Sequence, residues 1–225
     1  MTSQKLLLIP QARLEMFSHL IFGLSLSISA ITLIGSPAYS HASIMNKIIS
    51  FVFNFIILIM IWIRYTGTMA ILPIETGQII FLNLLMLLLV GLEPYLLSII
   101  QGALFVVNPT DLNLGMADYA SSLYALDIAG LVAIQGFFTH ILSREEEGLV
   151  PSSHLHKYRI GRNAQLVLAA VFVLSVLPQF WTTSVLGLPL RIQIWWIPLL
   201  GSVILIVRKY GLGIPQKTEA ETTRG

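Results

Sequence analysis

The chain has 225 residues, of which 56% are hydrophobic and 11% charged, with a formal net charge of +2 and a mean hydropathy of +0.82. A soluble domain carries roughly 25% charged residues; too few polar groups are present here to cover a water-facing globule, so the composition is that of an integral membrane protein. The near-neutral charge gives no footing for nucleic-acid binding, and the absence of cysteine excludes disulfides, thiol catalysis and thiolate metal sites.

Six apolar segments, at 16–35, 46–64, 77–101, 119–142, 163–183 and 190–207, are expected to span the membrane. Each is long enough for a hydrocarbon core of about 30 Å at 1.5 Å per residue. Lipid obliges each backbone to satisfy its own hydrogen bonds, so the expectation is an all-α fold of six transmembrane helices. One domain covers 1–210, and the polar tail 211–225 is expected to be disordered.

The first segment has two distinct faces. On a helical wheel Leu24, Ser27, Ile28 and Ile31 fall within about 100° of one another, with Arg13 and Phe17 on the same meridian. Ser18, Ser25, Ser29 and Thr32 cluster within about 60° on another side, where small hydroxyl residues let neighbouring backbones approach closely. In a symmetric oligomer, rings of Leu24, Ile28 and Ile31 would form a narrow apolar constriction that gates by dewetting. Wheel geometry alone favours ordinary packing for this helix. Ser40-His41-Ala42 resembles a small-residue cleavage site, but the length of the run and the distance of Lys5 from it favour a retained span.

Further along, Asn54 and Asn83 are expected to hydrogen-bond between helices. Glu93, followed by the helix-bending Pro94, and Asp127 lie within predicted spans, where a charge costs about 2.5–3.5 kcal/mol. The preferred reading places Glu93 near the outer interface or protonated, and Asp127 hydrogen-bonded between helices. The alternative uses both carboxylates, with His140 as a relay, in proton-coupled transport. Asn108-Pro109-Thr110-Asp111 marks an outer turn. The connection 143–162 carries Glu145, Glu146 and Glu147, read as a solvated face, and then His154 and His156, read as loop residues because no further ligands cluster there. Trp181, Trp195 and Trp196 are expected as interfacial anchors.

With six spans, eleven Lys and Arg residues fall on one side, and two, Lys47 and Arg191, on the other. The positive-inside rule then puts both termini of a multi-pass cell-membrane protein in the cytoplasm. No glycine-rich phosphate loop, His-Glu-x-x-His motif or Gly-x-Ser-x-Gly elbow is present, so the chain is not expected to be an enzyme.

The segment Arg13-x-x-x-Phe17-Ser18-His19 resembles the Arg-x-x-x-Phe-Ser-Asp signature of the transmembrane protein 175 family of potassium channels. Ser50-Phe51 with Trp62 is similar to the family's second-helix pattern, and Asn83-Leu84-Leu85 with Pro94-Tyr95 to its third-helix pattern; the likeness covers about residues 13–98. The resemblance implies a potassium-preferring cation channel whose first helix lines the pore. It also implies a homotetramer in the bilayer, with potassium as the conducted ion and no resident cofactor. Carried over by position, the gate falls on Leu24, Ile28 and Ile31, the selectivity hydroxyl on Ser27, and a cytoplasmic-end network on Arg13, Phe17, Ser18 and His19. Two departures stand out: the signature's aspartate is His19, and the histidine that follows the family's tryptophan is Tyr65. Beside the channel stand a proton-coupled transporter and a divergent, non-conducting member.

Overall fold

The computed structural model describes residues 3–35, 41–72, 76–104, 114–144, 148–185 and 188–206. The elements are α1 (Ser3–Gly35), α2 (His41–Met69), α3 (Gly77–Leu104), α4 (Leu114–Leu142), α5 (Ser152–Ser175), α6 (Pro178–Thr182), β1 (Ser184–Val185), β2 (Leu188–Pro189) and α7 (Leu190–Ile206). Among the described residues the protein is therefore all-helical apart from one antiparallel pair of two-residue strands, in which Ser184 pairs with Pro189 and Val185 with Leu188. Among the described residues four helices are long and apolar enough to cross a membrane, over Leu14–Ile31, Lys47–Met69, Gly77–Gln101 and Gly115–Leu142. The turn at 108–111, the three glutamates at 145–147 and the tail 211–225 lie outside the described residues.

Side-chain contacts give the register. Ser18 meets Tyr65 while Ser29 meets Asn54, so α1 and α2 run antiparallel. Glu93 meets Tyr124 and Leu89 meets Gly130, so α3 and α4 are antiparallel too. At Gly130 the helices approach closely enough that a Cβ would lie 2.9 Å from the Leu89 Cδ1 methyl, which would have to move aside. His140 opposite Arg162, and Gly136 opposite Gln165, set α5 antiparallel to α4. Asp118 with Arg191, and Tyr124 with Trp195, set α7 parallel to α4. The apolar core gathers on α4, where Tyr124, Ala125, Leu131, Phe138 and Leu142 are fully buried.

The fifth element differs from expectation at both ends. The predicted span 163–183 is instead a helix that starts at Ser152 and stops at Ser175. Proline accounts for both shifts. Pro151 precedes the first turn in an extended conformation (φ −54°, ψ 142°), and the chain turns helical immediately after it. At the other end Pro178 cannot donate to the preceding turn and forces Leu177 out of the helical region (φ −55°, ψ 137°), so a new short helix, α6, begins there. His154 and His156 consequently sit on the exposed first turns of α5 rather than in a loop.

The end of α5 is closed by a side chain that composition alone marks as an outer-surface charge. Arg191 is fully buried. Its Nε donates to Ser175 O at 2.7 Å and its Nη2 to Val176 O at 3.0 Å, satisfying carbonyls that α5 leaves unpaired at its C-terminus. Its Nη1 reaches Asp118 Oδ1 at 2.6 Å, Ser121 Oγ at 2.7 Å and Ser122 Oγ at 2.9 Å on α4. The guanidinium also lies 5.3 Å from the Trp181 ring centroid. One side chain thereby ties α4, α5, α6 and α7 together. Arg191→Met should lower unfolding stability by about 3 kcal/mol, since it strands two carbonyls and two hydroxyls away from water. Asp118→Asn should cost about 1 kcal/mol, because that carboxylate is part-exposed and the other acceptors remain. Thermal unfolding in detergent reads both, and a larger loss for the Asp118 variant would contradict the assignment.

Candidate functional site

α1 separates its residues sharply by side. Ser18, Phe22, Ser25 and Ser29 are buried, against α2 and α3. The opposite side is open: Leu20 is 63% exposed, Leu24 51%, Ile28 38% and Ile31 62%, with Ser27 exposed among them. The hydroxyl stripe read from the sequence is thus the packing seam as far as Ser29, and Thr32 lies among residues whose side chains are not described. The face assigned to a gate is turned away from the rest of the subunit.

Two polar contacts lock this rotation. The Tyr65 hydroxyl donates to Ser18 Oγ at 2.7 Å, while Ser18 itself donates to Leu14 O one turn earlier at 2.8 Å. Near the other end of the seam, Asn54 Nδ2 donates to Ser29 Oγ. Between them Phe22 packs on the Tyr65 ring with centroids 5.7 Å apart. Asn83 of α3, fully buried, lies beside the same Tyr65 hydroxyl.

At this end of α1, Ser18 and His19 make side-chain contacts with α2. His19 accepts a hydrogen bond from Trp62 Nε1 at its Nδ1 (3.1 Å), and the rings meet edge-on at 6.0 Å. Its Nε2 lies 3.8 Å from Glu15 Oε1, one turn back on α1. An Nδ1 that accepts from Trp62 places the proton of the neutral ring on Nε2, facing Glu15. Tyr65, where the resemblance leads one to expect histidine, supplies the contact to Ser18. Phe17 is half-exposed, outside this cluster, and the side chain of Arg13 lies outside the described residues. Trp62 and Tyr65 complete the network, and the signal for them was their spacing, i and i+3 on one face of α2.

Ser27 bonds back to its own helix. Its hydroxyl donates to Gly23 O at 2.9 Å, so the hydrogen is engaged with the helix and the oxygen lone pairs remain to accept or coordinate. Elsewhere, Glu93 is wholly buried and accepts from the Tyr124 hydroxyl at 2.8 Å. Asp127 is also buried, yet neither of its carboxylate oxygens has a hydrogen-bond partner among the described residues, so the expected interhelical bond is not formed. His140 faces Arg162 at 3.1 Å, one end of α4 away from Glu93 and Asp127, and does not join them as a relay. Trp195 is 2% exposed and packs on Tyr124 and Phe172, and Trp196 packs on Phe53 at 4.7 Å. Trp195 therefore serves the core instead of anchoring an interface, while Trp196 is partly buried against it. Among the described residues no three His, Asp or Glu side chains converge as metal ligands.

Neighbouring positions on α1 should respond oppositely. Ser25→Leu overfills the seam and should cost about 1–3 kcal/mol of unfolding stability. Leu24→Ala, one residue away on the open side, should change it by no more than about 0.5 kcal/mol. Equal losses in thermal unfolding would mean that α1 is rotated from the position described.

No family model matches the chain, and no curated protein matches it. Among solved structures, the crystal structure of a lysosomal potassium-selective channel TMEM175 homolog from Chamaesiphon minutus matches with a TM-score of 0.59 and 15% sequence identity. The match covers 87% of this chain and 97% of that one. At such identity the shared property is the course of the backbone, and the helical arrangement built up above is the fold of the TMEM175 channels.

Proposed function

We propose that the chain is the subunit of a passive, potassium-preferring cation channel, a homotetramer in the cell membrane in which four copies of α1 surround the axis. The observation that carries this reading is the open face of α1: three large apolar residues and one hydroxyl at helical spacing, on a helix whose other side is locked against its own subunit. Leu24, Ile28 and Ile31 form the dewetting gate, and Ser27 turns its lone pairs to the permeant ion. Ser18 and His19, through Tyr65 and Trp62, hold the entry end of α1 in place. Phe17 and Arg13 flank that entry.

In this reading α5 and α7 cross as well, making six spans with both termini cytoplasmic. Support comes from the register: α5 passes from the layer of His140 to that of Arg191, and α7 starts in that layer and runs beside α4. Arg191, being a buried clamp, leaves Lys47 as the sole outer-side basic residue that the positive-inside argument must accommodate. A second reading, a proton-linked transporter, draws on Asp127, whose buried carboxylate lacks hydrogen-bond partners among the described residues.

Flux through liposomes containing the purified chain separates the two. The channel gives potassium flux that does not saturate, needs no proton gradient and survives Asp127→Asn. The transporter gives the reverse on all three counts. Leu24→Ala or Ile28→Ala should raise the flux several-fold by widening and wetting the throat, and Ser27→Ala should lower the preference for potassium over sodium in bi-ionic recordings. Vesicles no leakier than protein-free ones, for the parent chain and both gate variants, would overturn the proposal.

A further inference from the structure

A groove of about 370 Å³ opens between α4 and α5 on the surface of the subunit. Ala133 and Phe137 of α4 and Leu166 of α5 form its apolar walls. All three are exposed, Phe137 by 40% and Leu166 by 50%. His140, Arg162 and Asn163 close one end. Helix α4 supplies the membrane frame by itself. Its apolar stretch ends at Leu142, so the end of the groove where His140 meets Arg162 lies at the bilayer boundary. Phe137 lies about 4.5 Å deeper along α4 and Ala133 about 10 Å deeper, and Leu166 lies about 6 Å deeper along the antiparallel α5.

The polar end is built from donors. Arg162 donates from Nε at 3.1 Å and from Nη2 at 3.0 Å to a single acceptor, Asn163 Oδ1, which fixes the plane of the guanidinium. Its Nη1 lies 3.1 Å from His140 Nδ1. A guanidinium cannot accept, so Nδ1 accepts and the neutral imidazole keeps its proton on Nε2. Neither partner offsets the charge. Among the described residues no carboxylate pairs with Arg162, and none lines the groove. Three of the five guanidinium N–H groups are engaged, and two remain beside the imidazole Nε2–H. A positive charge with unused donors, whose one side-chain oxygen is already taken, suits an anion.

We propose that this groove binds one anionic phospholipid from the leaflet at the C-terminal end of α4, its phosphate on Arg162 and one acyl chain along Phe137, Leu166 and Ala133. A guanidinium already held in plane forms paired hydrogen bonds to phosphate oxygens with little further ordering. The volume is within the usual range for small-molecule sites, about 300–1,000 Å³. The acyl chain covers the exposed apolar walls, which a free phosphate would leave bare. The site lies away from the open face of α1, and its occupancy does not depend on whether the chain conducts.

The test uses the full chain carrying Phe137→Trp, in phosphatidylcholine bilayers containing phospholipids with brominated acyl chains, which quench tryptophan on contact. The reporter's share of the quenching is the difference between this variant and the parent chain. Brominated phosphatidylglycerol should quench the reporter at a mole fraction about fivefold lower than brominated phosphatidylcholine. That factor corresponds to one basic group near an anionic headgroup. Adding Arg162→Gln should erase the difference, and Arg162→Lys, which keeps the charge without the fork to Asn163, should keep part of it. Ala133→Phe, which fills the groove and leaves the charge, should weaken quenching by both lipids. Equal quenching of the reporter by the two lipids, as a salt bridge from Arg162 to Glu145, Glu146 or Glu147 would produce, would overturn the proposal. So would a preference that persists with Arg162→Gln. Reversal of the quenching by inorganic phosphate, or brominated oleate as the preferred quencher, would overturn the assignment to a phospholipid.

Discussion

Two hydrogen bonds, Tyr65 to Ser18 and Asn54 to Ser29, set the rotation of α1 about its own axis. In lipid there is no hydrophobic drive to turn one apolar face inward in preference to another, so small residues and polar contacts decide which side of a helix packs. Ser18, Ser25 and Ser29 let α1 sit close against its neighbours, and the partners on α2 give the seam a register as well as a side. The exposure of Leu24, Ser27, Ile28 and Ile31 is the geometric consequence, and the proposed conduction path rests on it.

The far end of the bundle depends on a different device. A buried guanidinium is costly to desolvate and is tolerated only when its donors are met. Arg191 meets backbone carbonyls at the end of α5, two serine hydroxyls and a part-exposed carboxylate on α4, and it stacks near Trp181. Helix α5 stops where Pro178 stops it, and Arg191 takes up the acceptors left behind. The apolar helices would otherwise be free to slide; this polar hub gives them a fixed height.

Polar groups in the membrane-crossing region thus divide into those that are paired and those that are not. The hub is satisfied and holds structure; the α1 seam is bonded through Tyr65–Ser18 and Asn54–Ser29, with Asn54 Oδ1 and the Asn83 amide left without partners among the described residues. Asp127, in the core of α4, is left without hydrogen-bond partners among the described residues. Uncompensated ionisable groups at such depth are expensive to keep, and they direct attention to chemistry beyond packing.

The two faces of α1 were legible from the order of residues, because a helical period of 3.6 converts spacing directly into direction. The interhelical bond from Asn54 was anticipated, and so were the first four helices, their apolar runs being long and uninterrupted. The fifth helix departs from its apolar run because Pro151 and Pro178, not hydrophobic length, set its ends. The roles of Trp195, Arg191 and His19 were not legible, since each depends on what a distant stretch of chain brings alongside. Trp195 is an interfacial residue by type and a core residue by contact, and Arg191 is a surface charge by type and a hub by contact. Local sequence determined helix, length and facing direction, which are properties of a single periodic backbone. Tertiary structure alone decided which faces met and which charges found partners, because these depend on contacts between residues as far apart in the chain as Phe53 and Trp196.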